Sequence, residues 1–167
     1  AAAVRMQFVS GTHAIAAALF GVLRPGDRLL SITGRPYDTL EEVIGLRGSG
    51  QGSLNEFGVQ YDELKLRPDG RVDLPALDQA LAEPLRMVLI QRSCGYSWRP
   101  SLSIDQIAAL CSRIHAKQPD CVCFVDNCYG ELVEVTILFS DIRGFTSISE
   151  QMSPPNLMKM LNSYFAA

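Results

Sequence analysis

Lysine is scarce in this chain: Lys65, Lys117 and Lys159 are the only three in 167 residues, and arginine supplies most of the positive charge. The net charge is −3 and the arginines are scattered, so no basic stripe can follow a phosphate backbone and a nucleic-acid partner is excluded. Long apolar runs are also missing. The longest, residues 14–23, is about half of what a membrane span requires, and no charged leader with a cleavage site precedes it. The expectation is a cytoplasmic protein with no membrane partner. The five cysteines, Cys94, Cys111, Cys121, Cys123 and Cys128, are odd in number and contain no CxxC pair. Metal-ligand spacing is therefore absent, and they read as buried free thiols of a reducing compartment. An initiating Met is lacking too, and the chain stops just after an apolar helical pattern, which reads as a fragment.

What is present is ample core material. With 47% hydrophobic and 20% charged residues, the composition suits one ordinary folded domain. Hydrophobic periodicity and turn residues predict helices over 12–23, 39–47, 74–81 and 104–116, and strands over 28–32, 59–66, 87–91 and 122–125. Strand and helix alternate with short connections, so the fold class is α/β, a mostly parallel sheet covered by helices. One connection, residues 48–55, is rich in Gly and Ser. It reads as a solvated linker, with a mobile active-site loop as the sharper alternative.

Two apolar runs between Cys121 and Phe145 each end in an aspartate, Asp126 and Asp141. Ligand groups in α/β sheets sit where parallel strands end, so both aspartates are site candidates. Adjacent parallel strands, however, need a crossover of about a dozen residues. Residues 127–134 supply eight. A strand at 135–139 is thus expected to join the sheet antiparallel or at an edge, with the helix 156–165 on one face.

Ser10, Gly11 and Thr12 lie where a turn enters a helix, a place where free N–H groups and the helix dipole favour an anion. An ordinary N-cap by Ser10 or Thr12 accounts for the same residues, and His13 beside them reads as packing or capping. Tyr37 follows a strand and precedes a helix. Arg92, Ser93, Tyr96 and Arg99 surround another strand end, where they would suit a substrate carboxylate.

Taken in order, SGTHAIAAALFGVLRPGD, GRPYDTLEEVIG, MVLIQRSCGYSWRPSLSI and CFVDNCYGE resemble the methionine gamma-lyase-like family, also called aluminium resistance proteins, among the fold type I pyridoxal-phosphate enzymes. The resemblance spans residues 1–134 and implies the large, cofactor-binding domain of that fold. It implies the cofactor phosphate on the backbone of Ser10, Gly11 and Thr12, the ring of Tyr37 stacked on the pyridine, and Asp126 paired with the pyridinium nitrogen. It also implies a small amino-acid substrate and a homo-oligomer for the parent enzymes. The family holds its cofactor on a Schiff-base lysine one strand beyond the aspartate. Lys65 and Lys117 precede Asp126, and Lys159 falls in NLMKMLNSYF, on the side of a helix opposite Leu157, Leu161, Tyr164 and Phe165. No catalytic set is complete, so the expectation is weak, non-covalent cofactor binding and no lyase activity.

Beyond Val133, VTILFSDIRGFTSISEQMSPPNLMKMLNSYF resembles the first strand and helix of the class III adenylate and guanylate cyclase catalytic domain. The resemblance implies that Asp141 and the backbone carbonyl of Ile142 bind Mg2+ or Mn2+. The second aspartate, the base-recognition residues and the partner domain do not follow, so metal-dependent cyclisation is not expected of this piece alone. The chain reads as a splice of two domains, 1–134 and 135–167, with a lyase fragment as the leading reading. A nucleotide cyclase fragment and a non-functional chimera are the alternatives.

Overall fold

The computed structural model describes residues 7–93, 99–128 and 156, and within them helices and strands alternate. In chain order these are α1 (Gly11–Val22), β1 (Arg28–Ser31), α2 (Asp38–Ile44), β2 (Gln60–Glu63), α3 (Leu74–Ala80), β3 (Met87–Gln91), α4 (Ile104–Lys117) and β4 (Val122–Asp126). The chain divides into two compact units, Ala1–Glu134 and Val135–Ala167. All of these elements belong to the first. The expected strand at 135–139, the helix residues 157–165, Lys159, Asp141, Ile142, Tyr96 and Cys94 lie outside the described residues.

The four strands form one sheet in the order β2-β1-β3-β4, and every pair is parallel. Strands buried on both faces should be apolar throughout, and the two central strands are: Leu29 and Leu30 of β1 and Met87 to Ile90 of β3 are all but inaccessible. β2 is an edge strand and carries Gln60, Asp62 and Glu63 exposed. It is shorter than the expected 59–66, because its partner β1 ends at Ser31, opposite Glu63.

Successive side chains along a strand point to opposite faces, and here they divide the core cleanly. Leu29, Met87 and Leu89, with Val122 and Phe124, pack under α1 and α2. Leu30, Val88 and Ile90, with Cys123 and Val125, pack under α3 and α4. Asp126 has the parity of Val122 and Phe124 and so belongs to the α1/α2 face.

Helix ends follow local chemistry. α2 stops three residues before the expected end because Gly45 adopts φ 97° and returns its N–H to the Glu41 carbonyl. A side chain there would be strained and would also overlap Ser53. α4 opens with a reciprocal cap between Ser103 and Gln106. α3 and α4 are fastened by Asp78, which accepts from Arg113 Nε at 2.8 Å and faces Lys117 Nζ at 3.3 Å.

Residues 48–55 are a solvated linker only in part: Gly48, Ser49, Gln51, Gly52 and Asn55 are exposed. Ser53 and Leu54 are only 2% and 1% exposed, and the N–H groups of Leu54 and Asn55 bond the carbonyls of Val43 and Ile44 at 3.0 Å. Leu54 fills the core beside Leu40 and Ile44. The glycines that look like flexibility serve to bring this leucine back under α2.

Two outcomes follow from these contacts. Leu54→Ala should destabilise the fold by about 3 kcal/mol in urea denaturation, while Gln51→Ala in the same loop should change it by less than about 0.5 kcal/mol. Asp78, hydrogen-bonded by Arg113 and Lys117, has its carboxyl held down at about 2 against an ordinary 3.8. Its folded value is the depressed one, so its stabilisation is complete above 3.8 and is lost as pH falls through about 2. Asp78→Asn should flatten the acid limb of thermal stability in that window, and an unchanged limb would contradict it.

Candidate cofactor site

α1 begins with Ser10 as N-cap, whose Oγ accepts the His13 N–H at 3.1 Å while its carbonyl accepts from Ala14 at 3.1 Å. The first bond accounts for one of the four N–H groups that a helix start leaves unpaired, and the second is the first bond of the helix itself. The N–H groups of Gly11 and Thr12 have no partner among the described residues. A Cβ at Gly11 would meet nothing within 4 Å, so the turn is open on that side. The donor pair and the positive end of the α1 dipole suit an anion.

His13 is not aimed into this space as a catalyst. Its Nδ1 accepts from the Val9 N–H at 3.5 Å, and its ring meets Phe8 edge-on at 5.1 Å. Capping and packing account for it.

Tyr37 is the N-cap of α2, half-buried, with its ring against the α1/α2 core. Its hydroxyl lies 3.3 Å from Thr12 Oγ1, and Thr12 Oγ1 lies 3.1 Å from Thr39 Oγ1. Thr39 was not marked by sequence reasoning. The available signal was its place two residues after Tyr37 in the first turn of a helix. Burial pushes the Tyr37 phenol up, the Thr12 hydrogen bond opposes that, and the charge of Asp126 adds to the rise. Tyr37 therefore senses both the α1 turn and the end of β4.

Asp126 ends β4 in register with Gln91 of β3. Its Oδ1 accepts the Cys128 N–H at 3.0 Å, which fixes the carboxylate in a short turn. Ser10, Gly11, Thr12, Tyr37 and Asp126 thus meet at the C-terminal ends of the strands, on the α1/α2 side of the sheet, where α/β folds bind ligands.

The arginine cluster is differently occupied. Arg92 donates to the Leu102 carbonyl at 3.2 Å and to Asn127 Oδ1 at 2.9 Å, while Arg99 donates to the carbonyls of Gln91 at 2.8 Å and Pro100 at 3.2 Å. These guanidinium groups tie the loop after β3 to its surroundings. The cysteines also depart from expectation: among those described, Cys121 is buried, Cys111 and Cys123 are half-buried and Cys128 is exposed. Cys128 follows β4.

A sequence profile of the methionine gamma-lyase family matches residues 1–139. The chain belongs to that family. The uncharacterized protein YnbB of Bacillus subtilis is 50% identical over 132 residues, which are 78% of this chain and 31% of that protein. A carbon-sulfur lyase involved in aluminium resistance from Clostridium novyi shares 47% identity, with a TM-score of 0.71 over 77% of this chain and 31% of the other. A Listeria innocua structure, named as a candidate cystathionine beta-lyase involved in aluminium resistance, shares 52% identity with a TM-score of 0.74, over 79% and 32%. The chain spans about a third of the length of these relatives. Family membership implies pyridoxal phosphate in the parent enzymes and a small-molecule substrate for them. A second profile, that of the adenylate and guanylate cyclase catalytic domain, matches residues 129–167. No described helix is long and apolar enough to cross a membrane.

The Thr12–Tyr37 contact makes a specific prediction. Thr12→Val keeps the shape and removes the hydroxyl that lowers the Tyr37 ionisation. Tyrosinate absorbance, with Tyr37→Phe subtracted to isolate this residue, should then show Tyr37 ionising at higher pH. No change, or a downward shift, would place the hydroxyl elsewhere.

Proposed function

We propose that residues 1–134 are the cofactor half of a pyridoxal-phosphate-dependent carbon–sulfur lyase, that they hold the cofactor without a covalent bond, and that alone they have no lyase activity. What carries the reading is the junction of Tyr37 with both ends of the site, through Thr12 at the open start of α1 and through the charge of Asp126 at the end of β4. In this reading the N–H groups of Gly11 and Thr12, with the Ser10 turn, bind the phosphate. Tyr37 offers an apolar ring face to the pyridine and keeps its hydroxyl on Thr12. Asp126 holds a proton on the pyridine nitrogen, since a carboxylate beside that nitrogen favours its charged form. When bound, the cofactor supplies an electron sink for an amino-acid substrate.

The missing covalent anchor rests on where the lysines fall. Lys117 closes α4 and faces Asp78, at the sheet end from which β4 departs and away from Asp126. Lys65 follows β2, three strand spacings or roughly 14 Å from β4. These two positions support a site without a covalent anchor, and Lys159 lies outside the described residues. Without an amine there, the usual covalent anchor and base are lacking.

The second profile match favours a second reading, for residues 135–167 only: a cyclase fragment in which Asp141 and Ile142 are metal ligands for Mg2+ or Mn2+. One aspartate cannot clamp two ions across the attacking and leaving oxygens, so no cyclic nucleotide should form from ATP or GTP. Cyclic product that disappears in Asp141→Asn would overturn this.

For the lyase half, borohydride reduction of the protein with added pyridoxal phosphate should leave no stoichiometric pyridoxyl group on any one lysine. Asp126→Ala should abolish the cofactor's spectral change, while Asp141→Ala should preserve it. A pyridoxyl lysine in stoichiometric yield would contradict non-covalent binding, and equal effects of the two variants would contradict the site.

A further inference from the structure

Three hydroxyls from two helices meet at the ends of the strands, and the cofactor reading uses only two of them. Thr12 lies in the first turn of α1, Tyr37 is the N-cap of α2, and Thr39 is in the first turn of α2. Residues two apart along a helix do not face each other, so Tyr37 and Thr39 are joined through Thr12. Thr12 Oγ1 lies 3.3 Å from the Tyr37 hydroxyl and 3.1 Å from Thr39 Oγ1. Among the described residues no other side-chain hydrogen bond joins α1 to α2. Tyr37 makes no capping bond with its side chain, which leaves its hydroxyl to Thr12.

Counting hydrogens decides how the three can be arranged. A hydroxyl has one hydrogen to give and two lone pairs with which to receive. Thr12 sits in the middle and can give to one neighbour only. While Tyr37 keeps its proton, its phenol is the strongest acid of the three and the best donor, so Tyr37 gives to Thr12 and Thr12 to Thr39. A phenolate oxygen can only accept, so on loss of that proton Thr12 turns its hydrogen back to Tyr37. The lone pair that Thr12 then shows to Thr39 is filled when Thr39 donates in its turn.

We propose that Thr39 is a positioning residue for Tyr37: by changing from acceptor to donor it lets Thr12 reverse, and the reversed chain stabilises negative charge on the Tyr37 oxygen. Hydrogen bonds in a chain polarise one another, so a Thr39 that donates to Thr12 makes Thr12 the stronger donor to the phenolate. Thr39 is exposed, and its hydroxyl turns without repacking the core. The other surroundings of Tyr37 act in the opposite sense. Burial raises its ionisation, as do Asp126 and Cys128 at and beyond the end of β4 and Asp38 on α2, while the Thr12 hydrogen bond lowers it. α1 sets no charged group against the ring, since its one titratable side chain, His13, is turned to Phe8 and the Val9 N–H. Both arrangements keep the Tyr37 oxygen on Thr12, so the ring holds its place whichever way the hydrogens run. This bears on pyridoxal phosphate only through the cofactor reading, in which the pyridine meets a ring face that does not turn.

The full chain, made with ring-fluorinated tyrosine and free of cofactor, tests this. The fluorine makes the phenol more acidic and reports its ionisation by fluorine NMR, and Tyr37→Phe assigns the signal. Thr39→Val keeps the shape and removes the hydroxyl. Tyr37 should then ionise at higher pH than in the wild type, by less than in Thr12→Val, and Thr39→Ser should restore the wild-type value. In a Thr12→Val background Thr39→Val should add nothing, because the chain is already cut, whereas a purely structural effect would act in both backgrounds. An unshifted Tyr37 in Thr39→Val, no rescue by serine, or an equal shift with and without the Thr12 hydroxyl overturns the proposal. Titration with pyridoxal phosphate then separates the two readings. Weaker binding to Thr39→Val than to the wild type supports both, while a shifted Tyr37 in a chain whose wild type binds no cofactor supports the role of Thr39 and overturns the cofactor site.

Discussion

The pairing of β3 with β4 is the constraint on which the rest depends. β3 is apolar enough to be buried on both faces, and β4 runs parallel beside it from Met87↔Val122 to Gln91↔Asp126. That register fixes which side each β4 residue takes. A slip of one residue would send Asp126 to the α3/α4 face and Cys123 to the side of Tyr37, exchanging the contents of the two faces. The carboxylate beside Tyr37 and the thiols beneath α4 are thus two consequences of one alignment.

The two faces then diverge chemically. On the α1/α2 side, hydroxyls and open N–H groups gather at the ends of the strands: Thr12, Tyr37, Thr39 and the first turn of α1. Such groups recognise an anion and a flat ring without bearing charge themselves. On the α3/α4 side the interior is sealed by leucines, by the Gln118 side chain bonding the Leu85 N–H and the carbonyls of Leu81 and Glu83, and by Asp78 with Arg113. The strand ends on the α1/α2 side are built from termini and loops, whereas the opposite face is built from side-chain ties. Lys117 is spent on the tie between α3 and α4, and Lys65 flanks an exposed edge strand.

Much of the fold was legible in the sequence because buried parallel strands announce themselves. β3 falls at its expected limits, and the α/β alternation follows from apolar runs spaced by helical patterns. The turn Ser10 to Thr12 was legible as a helix start, with Ser10 as its N-cap. What could not be read were effects set by distant partners. The loop 48–55 looks solvated by composition, and only the carbonyls of Val43 and Ile44 reveal that Leu54 is drawn inward. That Arg92 ties the chain to the Leu102 carbonyl and Arg99 to the Gln91 carbonyl could not be read from the sequence either. The contact of Thr12 with Thr39 joins residues far apart in sequence, and no local pattern signals such a meeting.

The central claim is that Asp126 faces the pyridine nitrogen of a cofactor held without a covalent bond. The direct test is nitrogen NMR of isotopically labelled pyridoxal phosphate bound to the wild-type chain and to Asp126→Ala at neutral pH. The account predicts a protonated pyridine nitrogen with the wild type and an unprotonated one with any cofactor that the variant retains. The same nitrogen shift in both would show that Asp126 does not meet the ring, and the proposed site would be wrong.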